Sequence, residues 1–141
     1  VLMRLPRSAR LRGSRPPGPR IATRHRGIGP WHIVGDAGEP ALQNGWVLDV
    51  AQVPAQFALD DYGVVHVNLA DMSRSSGTGG TVFTLPIGFR PAYRTAVTAM
   101  EGTAVGFASV FGRLDILTDG SVIAQSTAKA LGAGDVRFRK G

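Results

Sequence analysis

The sequence predicts one all-β domain of antiparallel strands, preceded by an extended arm rich in arginine and proline. Apolar residues beyond residue 30 alternate with a period of two between turn signals, and no segment keeps an apolar period of 3.6 residues. Residues 1–29 have too few apolar side chains for a core of their own, and their prolines interrupt any helix. The 141 residues fit one β-sandwich or small barrel.

Two hairpins are the clearest local predictions. The first spans residues 57–69 around the turn 60–63, Asp-Asp-Tyr-Gly. The second spans residues 114–125 around the turn 118–120, whose Asp-Gly pair is a strong hairpin signal. Asp and Gly are expected there as turn residues, because Gly accepts positive φ and Asp bonds to nearby backbone amides.

The remaining elements are shorter predictions. Four further strands are predicted at residues 82–85, 93–100, 103–111 and 136–139. Pro86 ends the first of them, and Glu101-Gly102 is predicted to join the second to the third. Residues 126–131 are compatible with one helical turn, and residues 73–80, SRSSGTGG, are a predicted flexible loop.

Charge divides the chain after residue 26. The arm carries eight basic residues and no acid, whereas residues 27–141 carry eight basic and ten acidic side chains, so +8 and −2 give the total of +6. The basic residues of the arm are Arg4, Arg7, Arg10, Arg12, Arg15, Arg20, Arg24 and Arg26. The high isoelectric point therefore describes the arm and is no evidence that the whole protein binds nucleic acid.

Three interpretations of the arm are open, besides a loosely held solvated tail. Arginine arms bind nucleic acid electrostatically, but this arm has no aromatic residue on which a base could stack. An acid-free, arginine-rich segment is also typical of organelle targeting, which the prolines disfavour. The third interpretation is an anchoring peptide in a groove of a partner protein, with Leu5, Leu11 and Ile21 as apolar anchors. The sequence favours this third interpretation.

Composition excludes several classes of site and partner. The chain has no cysteine, which excludes disulfides and thiolate zinc sites. No apolar run approaches the eighteen residues of a membrane span, so no membrane partner is predicted. The bias toward arginine, alanine and glycine is typical of a GC-rich genome.

A search for catalytic motifs predicts no enzyme and no cofactor. The three histidines, His25, His32 and His66, do not have metal-ligand spacing, and His66 is expected to point to solvent or a subunit contact. The glycine-rich segment 77–81 lacks the lysine of a phosphate loop. Ser109 lies in no nucleophile elbow. A carboxylate pair that meets only in space stays open as a weak alternative.

Four stretches, in this order, resemble the C-terminal β-rich tip domains of bacteriophage tail fibres and related virion surface appendages. They are residues 30–46 (PWHIVGDAGEPALQNGW), 57–65 (FALDDYGVV), 83–91 (FTLPIGFRP) and 116–122 (ILTDGSV). The third is the most recognisable, a strand that ends in Leu-Pro and continues as Gly-aromatic-Arg-Pro. The resemblance covers residues 30–138 and leaves the arm, residues 1–29, unexplained.

The resemblance implies a jelly-roll-like β-sandwich at residues 30–141 that assembles as a homotrimer. It implies scaffold or interface roles for Trp31, Trp46, Phe83, Pro86, Gly88, Phe89, Arg90 and Pro91. For the ligand-binding alternative, the candidate residues lie in the loop 73–80 and the turn 60–63. They are Ser75, Ser76, Gly77, Thr78, Asp60, Asp61 and Tyr62.

The function implied is that of a non-enzymatic structural protein on the virion surface, assembled in the host cytoplasm. The sequence contains no fibre shaft, which favours a capsid decoration or head-fibre module whose arm binds capsid proteins. The first alternative is a tail-fibre or baseplate tip that binds a host surface glycan or protein. A nucleic-acid-associated protein that uses the arm is the weaker alternative.

Overall fold

The fold consists of eleven β-strands in a computed structural model that describes residues 27–48, 54–69, 71–76, 80–102, 110–125 and 127–141. The strands are β1 (His32–Ile33), β2 (Val47–Leu48), β3 (Gln56–Leu59), β4 (Val64–Leu69), β5 (Met72–Ser73), β6 (Thr81–Thr84), β7 (Thr95–Gly102), β8 (Val110–Ile116), β9 (Ser121–Ile123), β10 (Ala130–Gly132) and β11 (Gly134–Arg139). The described ranges contain no helix. Residues 1–26, which include all the arm residues named above, lie outside them.

The strands form two antiparallel sheets. The smaller sheet has the order β1-β3-β4-β11 and the larger has the order β2-β5-β10-β7-β8-β9-β6. Both sheets contribute their inner faces to one apolar core, with Phe57, Val65 and Val67 from the small sheet and Leu114 and Ile116 from the large one. The prediction of an all-β antiparallel sandwich is confirmed.

Both predicted hairpins are confirmed. Strand β3 pairs with β4 around the turn 60–63, with Leu59 opposite Val65. Strand β8 pairs with β9 around the turn 118–120. In both turns an aspartate performs the expected task, since Asp60 Oδ1 accepts the Tyr62 amide at 2.8 Å and Asp119 Oδ1 accepts the Ser121 amide at 2.9 Å.

The predicted turn at Glu101-Gly102 is wrong. Both residues belong to β7, where Glu101 pairs with Val110 of β8 and Gly102 pairs with Ala130 of β10. Pairing on both sides keeps them extended, because partners distant in sequence override a local turn preference. The link between β7 and β8 falls within residues 103–109, outside the described residues.

The helical turn at residues 126–131 is also not formed in the part of that segment that the structure describes. Ala130 and Leu131 are in β10, between β5 and β7, and both are buried. Their apolar side chains are required in the sandwich, and hydrogen bonding to two neighbouring strands fixes them in an extended conformation.

Arg74 is wholly buried, at 0% exposure. Its Nε donates to the carbonyl of Ala128 at 2.8 Å, and its Nη1 donates to the carbonyl of Asn44 at 3.2 Å. The guanidinium carbon also lies 4.7 Å from the ring centroid of Trp46. The side chain thereby joins three segments at the β2–β5 edge of the large sheet through charge-assisted hydrogen bonds and a cation–π contact.

Replacing Arg74 with methionine should destabilise the domain by about 3 kcal/mol, because the buried carbonyl of Ala128 and the carbonyl of Asn44 would lose their donor and the Trp46 ring would lose its cation. Urea unfolding of the purified protein measures this change. Arg137→Met is the matched control, because the Arg137 side chain is 64% exposed and its loss should cost no more than about 0.5 kcal/mol. Equal losses in the two variants would show that Arg74 does not hold this edge.

Candidate functional site

One end of the sandwich, which we call the turn end, gathers the turns 60–63 and 118–120, the loop 86–94 and the last residues, 139–141. Backbone hydrogen bonds join these segments. The Lys140 amide donates to the carbonyl of Gly63 at 3.0 Å, and the Gly141 amide donates to that of Arg90 at 2.9 Å. Hydrogen bonds between segments from both sheets therefore hold the turn end in one arrangement.

Asp60 and His66 form a largely buried pair beneath the turn end. Oδ1 of Asp60 accepts the amides of Tyr62 and Val64, and its Oδ2 lies 2.9 Å from Nε2 of His66. The hydrogen bond with His66 is the main cause that holds the pKa of Asp60 below its ordinary value. Both carboxylate oxygens of Asp60 are thus hydrogen-bonded within the hairpin, so this candidate ligand residue stabilises the turn.

Of the two environments expected for His66, solvent is wrong, and a subunit contact stays a prediction. The side chain does lie on the sheet face opposite to Val65 and Val67, as alternation requires, but the residue is only 7% exposed. The hydrogen bond to Asp60 holds it there. Asp61 and Tyr62 are exposed at the tip of the same turn, and Tyr62 is 59% exposed.

The residues of the stretch 83–91 pack beneath the turn end and fix its loop 86–94. Phe83 is fully buried, and Gly88 has φ of 101°, a left-handed conformation that favours glycine. The Phe89 ring packs 4.9 Å from Phe57. Arg90 Nε donates to the carbonyl of Leu85 at 2.9 Å. These contacts are internal to the domain.

The other signature residues lie in different environments. Pro86 accepts the Phe89 amide at 3.1 Å, and Pro91 bridges Lys140 in the C-terminal segment. Trp46 is buried at 3% exposure, next to Arg74, whereas Trp31 is 41% exposed. The structure therefore separates the two tryptophans into a core residue and a surface residue, a distinction that the sequence does not reveal.

Ser75 and Ser76, the described candidate ligand residues of the predicted loop, lie at the opposite end of the sandwich from the turn 60–63. Strand β7 begins near the turn end at Thr95 and ends at Gly102, beside Ala130, which in turn pairs with Ser73. Seven steps along a strand separate these ends by roughly 24 Å. Ser75 and Ser76 are exposed at the far end, and Gly77 and Thr78 lie outside the described residues. The prediction of a flexible loop from residue 73 is wrong at its start, because Ser73 is in β5 and Arg74 is buried. Ser75 and Ser76 therefore do not form one site with the turn 60–63.

A polar and aromatic surface on the outer face of the large sheet was missed by sequence reasoning. We call it the arginine strip, and its members are Phe111, Arg113, Asp115 and Arg94. Asp115 Oδ2 accepts Arg94 Nη2 at 2.7 Å, and its Oδ1 accepts Arg113 Nε at 2.9 Å. Phe111 is 83% exposed. The signal was the alternation 111-113-115, which the sequence analysis divided between a strand ending at residue 111 and a hairpin beginning at residue 114.

The two arginines and the aspartate stabilise one another's charges. The hydrogen bond from Arg94 is the main cause that lowers the pKa of Asp115, and the same bond raises the pKa of Arg94. The Asp115 side chain is 17% exposed, whereas the arginine side chains are 58% and 59% exposed. The carboxylate thus lies below two exposed guanidinium groups.

Glu101 is a buried acid on the inner face of β7. It is 3% exposed, and burial raises the pKa of its carboxyl group. Its Oε1 accepts the Gln125 amide at 3.4 Å. A Cβ atom at Gly112 would collide with the Glu101 carboxylate, so the glycine in β8 provides the space for this side chain.

No ligand set for a metal occurs in the described ranges, where no three His, Asp or Glu side chains form a possible site. Within the same ranges, no helix has the length and the apolar character that a membrane crossing needs.

The arrangement is an all-β sandwich that carries the hydrogen-bonded turn end and, on the outer face of the large sheet, the arginine strip. No protein-family model and no curated protein sequence matches the chain. Two solved protein chains match its fold. One is the receptor binding protein (gp15) of Listeria phage PSA, which superposes with a TM-score of 0.55 at 12% sequence identity, over 82% of this chain and 67% of that one. At this identity the likeness shows a shared fold.

Replacing Asp60 with asparagine should make the domain less sensitive to acid. Because the folded state lowers the pKa of Asp60, its stabilising contribution is present above the pKa of the unfolded chain and is lost as the pH falls through the folded pKa. Melting temperatures between about pH 4 and pH 2 should fall more steeply for the wild type than for Asp60→Asn. Asp61→Asn removes the same charge one residue away and should keep the wild-type slope, and parallel curves for all three proteins would contradict the assignment.

Replacing Glu101 with glutamine should stabilise the domain at neutral pH. Because burial raises the pKa of Glu101, the folded state binds this proton more tightly than the unfolded chain, and stability falls as the pH rises through the unfolded pKa toward the folded one. The Tm of Glu101→Gln should exceed that of the wild type at pH 7.5 and approach it at pH 4. A Tm below that of the wild type at both pH values would show that the carboxylate makes a favourable contact that glutamine cannot replace.

Proposed function

We propose that this chain is a non-enzymatic bacteriophage surface protein that binds a receptor on the host cell. One observation carries the proposal: over 82% of its length the chain shares its fold with a phage receptor-binding protein. The tip-domain resemblance of residues 30–138 supports the same class independently, because it rests on sequence motifs. Fold alone does not fix function, so the proposal depends on a binding test.

The receptor-binding role replaces capsid decoration as the favoured function. The arm was expected to bind capsid proteins, but such an arm can equally attach a receptor-binding module to a tail or baseplate. The shared fold supports this alternative and gives no support to decoration. The homotrimer stays a prediction from the resemblance.

The point where the arm joins the domain suggests how the module is oriented. The Gly27 amide donates to Asp61 Oδ2 at 3.3 Å, and the Asp61 amide donates to the carbonyl of Gly27 at 3.3 Å. The arm therefore joins the domain at the turn end. If the arm anchors the protein, the turn end faces the particle, and its exposed Tyr93 and Ile87 contact the anchoring partner. The receptor then meets the sheet faces or the far end.

Purified full-length protein should adhere to host bacteria and, when added before the phage that encodes it, should reduce the number of plaques. Labelled protein tested on a panel of GC-rich bacteria measures adhesion, and plaque counts measure competition. The double variant Tyr93→Ala/Ile87→Ala is the control for orientation, and it should adhere as the wild type does. Absence of both adhesion and competition at saturating protein concentrations would contradict receptor binding.

A further inference from the structure

We infer that the arginine strip binds an acidic polysaccharide, with Arg94 and Arg113 as ligands for a sugar oxyanion and Phe111 as the platform for a sugar ring. This inference names the ligand class of the proposed receptor-binding function and rests on that function. The oxyanion is either the carboxylate of a uronic acid or the phosphate of a phosphorylated sugar, since both accept hydrogen bonds from guanidinium groups.

The register of the large sheet sets the strip on one face. Gly112, Leu114 and Ile116 alternate with the strip residues of β8, and Leu114 and Ile116 are fully buried in the core. Phe111 and Arg113 therefore point away from the core, on the same side as Asp115. Because the core fixes the strand, Phe111, Arg113 and Asp115 are held on a rigid sheet, and the hydrogen bond to Asp115 orients Arg94 at the end of the loop 86–94, which favours a preorganised site.

The strip has more hydrogen-bond donors than its own acid can use. Arg94 and Arg113 each donate one hydrogen bond to Asp115 and, within the described residues, make no other side-chain hydrogen bond. A guanidinium group has five N–H donors, so most of them remain directed to solvent. Two guanidinium groups share one carboxylate, which leaves one positive charge in excess. The aspartate orients both groups, and the remaining donors suit an incoming oxyanion.

Phe111 supplies the apolar part of the site. Phe111 is 83% exposed, so its ring leaves apolar surface in water that a ligand covering the ring would bury. Sugars present apolar C–H faces, and aromatic rings stack on such faces. Phe111 and Arg113 are two residues apart on one strand face, about 7 Å. One sugar ring on Phe111 can therefore bring an attached oxyanion within reach of Arg113.

Arg137 and Asp135 in β11 provide an internal control for this site. They repeat the same two-residue spacing, and Arg137 Nη2 lies 2.7 Å from Asp135 Oδ2. The same exposed face of β11 also carries Arg139, so it matches the strip in charge with two arginines and one aspartate, but no exposed large apolar side chain belongs to β11. A general attraction of surface arginines for polyanions would act on both pairs, whereas a built site would act on the strip alone.

The test measures the affinity of the full-length chain for three immobilised polymers: polyglucuronate, dextran phosphate and neutral dextran. The basic arm is present in every variant, so its contribution is common to all. Arg113→Gln and Arg94→Gln should each weaken binding to one of the two acidic polymers about tenfold, since each removes a charge-assisted contact. Phe111→Ala should weaken it about fivefold. Arg137→Gln and Ile87→Ala should change it less than twofold.

The polymer that responds to these substitutions identifies the oxyanion, carboxylate or phosphate. Equal losses in Arg113→Gln and Arg137→Gln would overturn the inference, because the attraction would then be diffuse charge. Equal affinity of the wild type for neutral dextran would also overturn it. Light scattering covers the remaining outcome: if Phe111→Ala dissociates an oligomer without a change in sugar affinity, the face is a contact between copies and the inference is wrong.

Cell adhesion separates this inference from the proposed function. If the wild type adheres to host cells and Arg113→Gln adheres equally well, the protein is a receptor-binding module with its site elsewhere, and only the inference fails. If the wild type does not adhere to any cell and binds the acidic polymers no more tightly than Arg113→Gln does, both the inference and the proposed function fail.

Discussion

The shared core between the two sheets is the constraint on which the rest of the structure depends. Phe57 and Val65 from one sheet and Leu114 from the other must meet in it, and these side chains are fully buried. A shift of one residue in a strand would turn every buried side chain outward, so the core fixes the register of each strand. It therefore also determines which residues face solvent, including Phe111 and Arg113.

Two polar side chains inside the sandwich show how this core tolerates charge. Arg74 is accommodated because carbonyl groups and the ring of Trp46 surround its guanidinium group. Glu101 has no such surroundings among the described residues, where only the Gln125 amide donates to it, and burial raises its pKa. The first side chain therefore stabilises an edge of the large sheet, whereas the second carries a desolvation cost.

Local signals in the sequence were enough for the hairpins, since Asp60 and Asp119 bond to amides within their own turns. Contacts between residues far apart in the sequence could not be predicted from such local signals. Gly112 was left outside the predicted strands, but it is a β8 residue that makes room for Glu101 across the sheet. That error divided β8, and the alternation of Phe111, Arg113 and Asp115 could not be recognised as one exposed face.

The proposed receptor-binding module is attached by its arm at the turn end, and its outer sheet face meets the host. Cryo-electron microscopy of the phage particle tests this claim most directly. We expect domain density on a tail appendage, with Tyr62 and Tyr93 toward the particle and Phe111 toward the outside. Density distributed over the capsid lattice, or a tail-bound domain whose turn end points away from the particle, would contradict it.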